Sequence, residues 1–228
     1  MNVLVIGATS GIGKEIYAHY VASGNIVAIM GRRKDLLEEL YLRNPKVTLS
    51  IPCDISDISS FDKAFEIVLN SLYHIDLAIV CAGIGELNSS LQFEIELETI
   101  STNVVGWTNV MDKLYHLMEK QGKGHLITIT SIGGLQPSPI APSYSASKAY
   151  QINYTKSLRV KAKKSKISIT EIRPGLVGTR MAKGAGLFWV MPVEKVTKQI
   201  LSAINKKKKL CVVTKRWRIL NWIVKHLM

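Results

Sequence analysis

Short runs of apolar, largely β-branched residues recur along this chain, and between them lie stretches with helical periodicity. The runs are VLVI (residues 3 to 6), IVAIM (26 to 30), VTLSIPCD (47 to 54), DLAIVCAG (76 to 83), HLITITS (125 to 131), KISITEI (166 to 172) and LCVV (210 to 213). Helical patterns fill the intervals. One ends near Gly24, the next, DLLEELYLR, stops at Asn44 and Pro45, and others cover residues 58 to 73, about 92 to 120, 144 to 164 and 193 to 205. Apolar strands interleaved in this way with helices are parallel and covered on both faces. The pattern predicts an α/β fold, a doubly wound parallel sheet of about seven strands joined by right-handed helical crossovers. With 47% hydrophobic residues among 228, there is apolar material for one substantial core. No composition break, repeat or linker divides the chain, so residues 1 to 228 read as a single domain.

Ligands of such sheets collect at the carboxyl ends of the strands, and the unusual residues of this sequence fall there. GATSGIG joins the first strand to the first helix, with Gly7, Gly11 and Gly13 around Thr9, Ser10 and Ile12. Glycines at that place permit a tight turn and a close backbone approach, so that free amides and the positive end of the helix can meet a pyrophosphate. A glycine cluster alone could be only a turn; the order strand, turn, helix favours a dinucleotide. The second strand runs into GRRKD, which puts Arg32 and Arg33 where the adenosine ribose lies. An NAD site offers a carboxylate to the ribose hydroxyls, whereas a 2′-phosphate calls for a cation. The cations favour NADP(H), with NAD(H) as the alternative. Asp35, at the start of the next helix, reads as a cap for backbone amides. Asp54 ends the third strand beside Ile55, and either accepts from the adenine amino group or caps a turn.

Tyr144 and Lys148 are one helical turn apart and share a face. A phenol of pKa ~10 is a poor acid or base near neutrality unless a nearby positive charge stabilises its anion, and Lys148 carries such a charge. Ser131, at the end of the fifth strand, is placed to orient a carbonyl or hydroxyl. Asn103, inside the long helical region, can hold a backbone distortion and a relay water. Taken singly, the Tyr–Lys pair reads as exposed helix surface and Ser131 as an ordinary strand end.

Taken together and in order, the motifs resemble the short-chain dehydrogenase/reductase (SDR) family over essentially the whole chain. The matching segments are GATSGIG, CDIS around Asp54, CAG at Cys81 to Gly83, STNVVGWTNV around Asn103, ITSIGG at Ser131, YSASK, and RPGLVGT from Arg173 to Thr179. The resemblance implies a Rossmann-type fold and an NADP(H)-dependent carbonyl reductase or alcohol dehydrogenase. It assigns the substrate oxygen to Ser131, the proton to Tyr144, and the lowering of that tyrosine's pKa, with the nicotinamide ribose, to Lys148. Asn103 is implied to keep the relay water. Ala82, Gly83, Pro174, Gly175, Val177 and Thr179 are implied cofactor contacts, the last two near the carboxamide. Cys81 departs from the family's usual asparagine, which bears on local packing more than on chemistry. Dimers or tetramers, formed through the long helices flanking the fifth strand, are implied as well.

Substrate identity is expected to reside in GGLQPSPIAPS and in a lid of about residues 179 to 192, RMAKGAGLFWVMP after Thr179. Leu187, Phe188, Trp189, Val190 and Met191 there suit a small or apolar carbonyl or alcohol, or else pack the lid onto the body of the domain. The segment 215 to 228, KRWRILNWIVKHLM, mixes cations with Trp217, Ile219, Leu220, Trp222, Ile223, Leu227 and Met228. It is too short and charged to span a bilayer. It either lies on an anionic membrane surface or packs as a helix beside the site or a second subunit, the latter preferred. The formal charge of +13 attracts polyanions generally, but no nucleic-acid-binding motif accompanies it, so nucleic acid is not the expected partner. Three scattered cysteines imply neither a disulfide framework nor a metal site and fit a reducing compartment. The opening residues carry no signal-peptide pattern, and a cytoplasmic location, with peripheral membrane contact as an option, is expected. Competing readings are a non-catalytic dinucleotide-binding regulator and a related epimerase or dehydratase.

Overall fold

The computed structural model describes residues 1–179, 189–214 and 216–219. The elements in chain order are β1 (Asn2–Ile6), α1 (Gly11–Ala22), β2 (Ile26–Gly31), α2 (Lys34–Arg43), β3 (Thr48–Pro52), α3 (Ile58–Leu72) and β4 (Leu77–Val80). They continue with α4 (Phe93–Ile100), a π-helical turn (Ser101–Gly106), α5 (Trp107–Gln121), β5 (Gly124–Ile129), α6 (Pro142–Lys161), β6 (Ile167–Pro174), α7 (Val193–Asn205) and β7 (Leu210–Val213). The sheet order is β3-β2-β1-β4-β5-β6-β7, and every pairing is parallel. The order reverses between β1 and β4, where an open α/β sheet forms its ligand crevice.

Alternation along the strands divides the core into two layers. In β1, Leu4 and Ile6 join Phe61, Phe65 and Val68 of α3 and Trp107, Met111 and Leu114 of α5. Val3 and Val5 face the other way, onto Ile16, Tyr17 and Tyr20 of α1, Leu37 of α2 and Ile200 of α7. Because both faces are covered, β1 after Asn2, β2 and β4 carry no polar face, which is why they are apolar in sequence.

Three boundaries differ from the sequence expectation, each for a local reason. The region expected as one long helix is α4, the π-helical turn and α5 in succession. Here the amide of Trp107 donates to the carbonyls of Thr102 and Val104, so the register slips by a residue at Asn103. Helix α6 starts earlier, at Pro142, since proline fits the first helical turn, where its missing N–H has no partner to lose. Strand β3 stops at Pro52, before Cys53 and Asp54. Asp35 does not cap α2 either: the N-cap is Arg33, which makes no side-chain cap bond, and Asp35 sits in the first turn, favourable to the helix dipole.

Candidate active site

The carboxyl ends of β1 to β6 enclose a cleft of about 780 Å³, within the size range of small-molecule sites. Its floor is the turn after β1. Gly7 has φ +90° and Gly11 φ +52°, which a residue with a β-carbon adopts only under strain. A β-carbon on Gly7 would also lie 2.6 Å from the amide nitrogen of Ala82, so the turn closes against the end of β4 only as glycine. Ser10 holds the N-cap of α1 but makes no side-chain cap bond, which leaves the first-turn amides for an anion. Its hydroxyl instead accepts from Arg33 Nη2 at 2.7 Å, and Arg33 Nε donates to Thr9 Oγ1 at 3.0 Å. Arg33 is thereby pinned to the rim of the glycine turn. Arg32 is half-exposed and faces Asp54 and Glu98, each at 3.8 Å.

Of the two readings of Asp54, the turn is the one realised by Oδ1, which accepts from the amide and hydroxyl of Ser56 at 2.9 and 2.7 Å. Its Oδ2 faces Arg32. Every cofactor contact expected from the sequence lines the cleft: Gly7, Thr9, Ser10, Gly11, Ile12, Gly13, Arg32, Arg33, Asp54, Ile55, Ala82, Gly83, Tyr144, Lys148, Pro174, Gly175, Val177 and Thr179. Thr102, not foreseen, lines it too, and its Oγ1 is buried without a hydrogen-bond partner. Such an orphan is costly unless a ligand satisfies it. A glycine cradle at positive φ, uncapped helix amides, a pinned guanidinium and an orphan hydroxyl on one wall fit a nicotinamide dinucleotide. Among the described residues, no cluster of three or more His, Cys, Asp or Glu stands ready for a metal.

At the other end of the cleft, Tyr144 rises from the start of α6 beside the end of β5. Its ring packs on Gly85, where a β-carbon would stand 2.8 Å from the ring. Ser131 stands beside the phenol, close enough to draw its pKa down, and is itself fixed by the amide of Gly133, which donates to Oγ at 3.0 Å. Lys148 is buried, with Nζ 5.8 Å from the centroid of the tyrosine ring. Burial lowers the lysine to about 8, offset in part by the Cys81 thiol. Burial also raises Tyr144 above its ordinary 10.0, with the neighbouring Ser131 hydroxyl opposing. Burial thus opposes the lowering expected from Lys148, because it takes the phenolate out of water.

Asn103 is fully buried and lies behind the wall rather than on it. Its Oδ1 accepts from the Ile84 amide at 2.9 Å, and its Nδ2 donates to the Ile84 carbonyl at 2.7 Å and to Ser147 Oγ at 3.1 Å. The side chain clamps the loop after β4 to α6, and with it the Gly83–Gly85 backbone that meets Lys148 and Tyr144.

The RPGLVGT segment is held by a short parallel bridge between Val177 and Met191, with Gly178 and Met191 amides donating to the Met191 and Leu176 carbonyls at 2.9 and 3.0 Å. Of the anticipated lid, Leu187 and Phe188 lie outside the described residues. Trp189 is described, and its ring meets Trp217 edge to face at 5.6 Å. Trp217 is buried, lies flat on Gly175 and lines the cleft. Trp217 itself is thus packed against the domain. Leu220, Trp222, Ile223, Leu227 and Met228 lie outside the described residues. No helix among the described residues is long and apolar enough to cross a membrane.

The comparisons with known proteins agree with this geometry. The family model for short chain dehydrogenase matches residues 1–187. A fatty acyl-CoA reductase of Acinetobacter baylyi is 31% identical over 216 residues, covering 90% of this chain and 73% of its own. A short-chain dehydrogenase from Sphingobium yanoikuyae in complex with NADPH superposes with TM-score 0.86 at 22% identity, covering 100% of this chain and 94% of the other. A 3-ketoacyl-(acyl-carrier-protein) reductase from Brucella melitensis complexed with NADH gives 0.83 at 20% identity, covering 93% and 96%. At these identities the two structures speak to the fold alone.

Proposed function

The chain belongs to the short-chain dehydrogenase family, and we propose that within it the protein is an NADP(H)-dependent oxidoreductase that interconverts a carbonyl and a secondary alcohol on a small or apolar substrate. The observation that carries the reading is the convergence of Tyr144, Ser131 and Lys148 at one end of a cleft whose other end is the glycine cradle with Arg33. When bound, the cofactor supplies or takes up hydride at nicotinamide C4. In the reducing direction Tyr144 donates its phenolic proton to the carbonyl oxygen, and the Ser131 hydroxyl donates a hydrogen bond to the same oxygen. Lys148 balances the phenolate that remains, and the reverse transfers serve oxidation. Arg33 supports preference for a 2′-phosphate, and Leu87, Ile132, Leu176 and Trp217 on the cleft wall support an apolar substrate body. The name of the Acinetobacter relative is in keeping with such a body.

The same reading includes a cytoplasmic homodimer or homotetramer, supported by the exposed Leu97 and Ile100 of α4, Val105 of the π-helical turn, and Tyr150 and Val160 of α6. The experiment that tests the activity follows loss of NADPH absorbance with ketones, aldehydes and 3-oxoacyl thioesters. Turnover of at least one panel member, reduced by ~10³-fold or more in Tyr144→Phe, is expected. Tight NADPH binding with no turnover across the panel counts against the reductase.

A further inference from the structure

Gln151 stands three residues after Lys148 on α6, on the same face, and is fully buried. Its Oε1 accepts from Lys148 Nζ at 2.9 Å, and its Nε2 donates to the carbonyl oxygen of Asn103 at 2.8 Å. The orientation of the amide follows from its partners: an ammonium only donates and a carbonyl only accepts, so a flipped carboxamide would oppose both. The Asn103 carbonyl is open to this bond because of the π-helical turn. In a regular α-helix the Trp107 amide would donate to it, but that amide donates to Thr102 and Val104 instead.

We propose that Gln151 is a positioning residue that holds the Lys148 ammonium at the base of the cleft, so that the link from Lys148 to Asn103 runs through a carboxamide rather than a water. The proposal rests on the reading of Tyr144 and Lys148 as the proton-transfer pair. A second bond, from Nζ to the Ile129 carbonyl at 3.3 Å, fixes the ammonium from the β5 side. Two of its three donors are thus committed, and the third serves a ligand in the cleft. A carboxamide passes a proton only through its imidic tautomer, so Gln151 orients the lysine without relaying from it.

The groups facing Lys148 are the Cys81 thiol after β4, the Tyr144 phenol on its own helix, and neutral polar atoms of Asn103, Ser147 and the β5 end. A carboxylate introduced at position 151 is therefore expected to dominate its titration. The experiment uses the full chain without ligand, labelled with ¹³Cε-lysine, with the Lys148 resonance identified by its loss in Lys148→Met. Gln151→Glu is expected to raise the Lys148 midpoint by about one pH unit or more, and the apolar, similarly sized Gln151→Met to lower it. With a substrate in hand, Gln151→Met is expected to lower kcat by roughly tenfold or more with KM changed by less than about threefold, the split expected of a transition-state positioning role.

A midpoint unmoved in folded Gln151→Met overturns the proposal, because loss of a residue that only fills the core leaves a neighbour's titration where it was. If Gln151→Met does not fold, Gln151→Leu takes its place in the titration. Failure of wild-type protein to bind NADPH or turn over substrate sinks the proposed function but leaves the titration able to decide on Gln151.

Discussion

Replacing Arg33 by alanine separates the two possible roles of that residue. Its guanidinium donates to the hydroxyls of Thr9 and Ser10 on the rim of the glycine turn, so its position is fixed before any ligand arrives and little side-chain entropy is lost on binding. A charge-assisted hydrogen bond contributes roughly 1.5–3 kcal/mol, which for a 2′-phosphate corresponds to about 10- to 150-fold in Kd. Arg33→Ala is expected to weaken NADPH by that factor while leaving NADH within about threefold. Arg32 is half-exposed and shares its charge with Asp54 and Glu98 at 3.8 Å, so Arg32→Ala is expected to cost a factor of about five or less. Fluorescence titration with both nucleotides at two salt concentrations measures these changes, and the NADPH advantage should shrink as salt rises. Equal losses for NADPH and NADH in Arg33→Ala refute the reasoning, because they would mean that Arg33 supports the turn and does not read the phosphate.

Two further predictions concern packing and pH. A β-carbon on Gly175 collides with the Trp217 indole, so Gly175→Ala is expected to cost roughly 1–3 kcal/mol by overpacking, and less than half of that in a Trp217→Ala background; denaturant melts of the four proteins check the coupling. His125 is buried with Nε2 2.8 Å from Thr170 Oγ1, and burial, aided by Lys207, lowers it from 6.5 to about 4. The folded state therefore takes up this proton later than the unfolded chain. Its contribution is complete above pH 6.5 and is lost as pH falls toward 4, a drop with a ceiling of about 3 kcal/mol. Denaturant melts at pH 7 and 4.5 should show a flatter dependence for His125→Gln than for wild type.

The strands and the glycine cradle were legible because each is dictated by local composition: apolar runs have few places but a covered sheet, and Gly7 sits in backbone space that other residues avoid. The Tyr144–Lys148 pair and Ser131 were legible as an ordered set of motifs. What the sequence hid were contacts made across elements. Gln151 follows Lys148 in a helix rich in polar residues and reads as surface. It is buried because the face of α6 that carries it, with Ser147 and Thr155, is pressed against the π-helical turn. That turn is marked in the sequence by Asn103, read as holding a backbone distortion, and by Gly106, whose missing side chain admits the Ile55 carbonyl. Thr102 became notable only once its hydroxyl was seen without a partner on the cleft wall. Trp217 lay in a basic amphipathic stretch for which packing was preferred over a membrane surface, but its place on Gly175 had no sequence signal. The upward pull of burial on the Tyr144 pKa has no sequence signal, because packing, not spacing, sets it.

Single-turnover transfer from NADPH deuterated at nicotinamide C4 to the best carbonyl substrate tests the central claim most directly. Product alcohol carrying one deuterium on the former carbonyl carbon, formed by wild type and not by Tyr144→Phe that still binds NADPH, is the predicted result. Unlabelled product, or transfer undiminished in Tyr144→Phe, would contradict hydride transfer completed by that tyrosine.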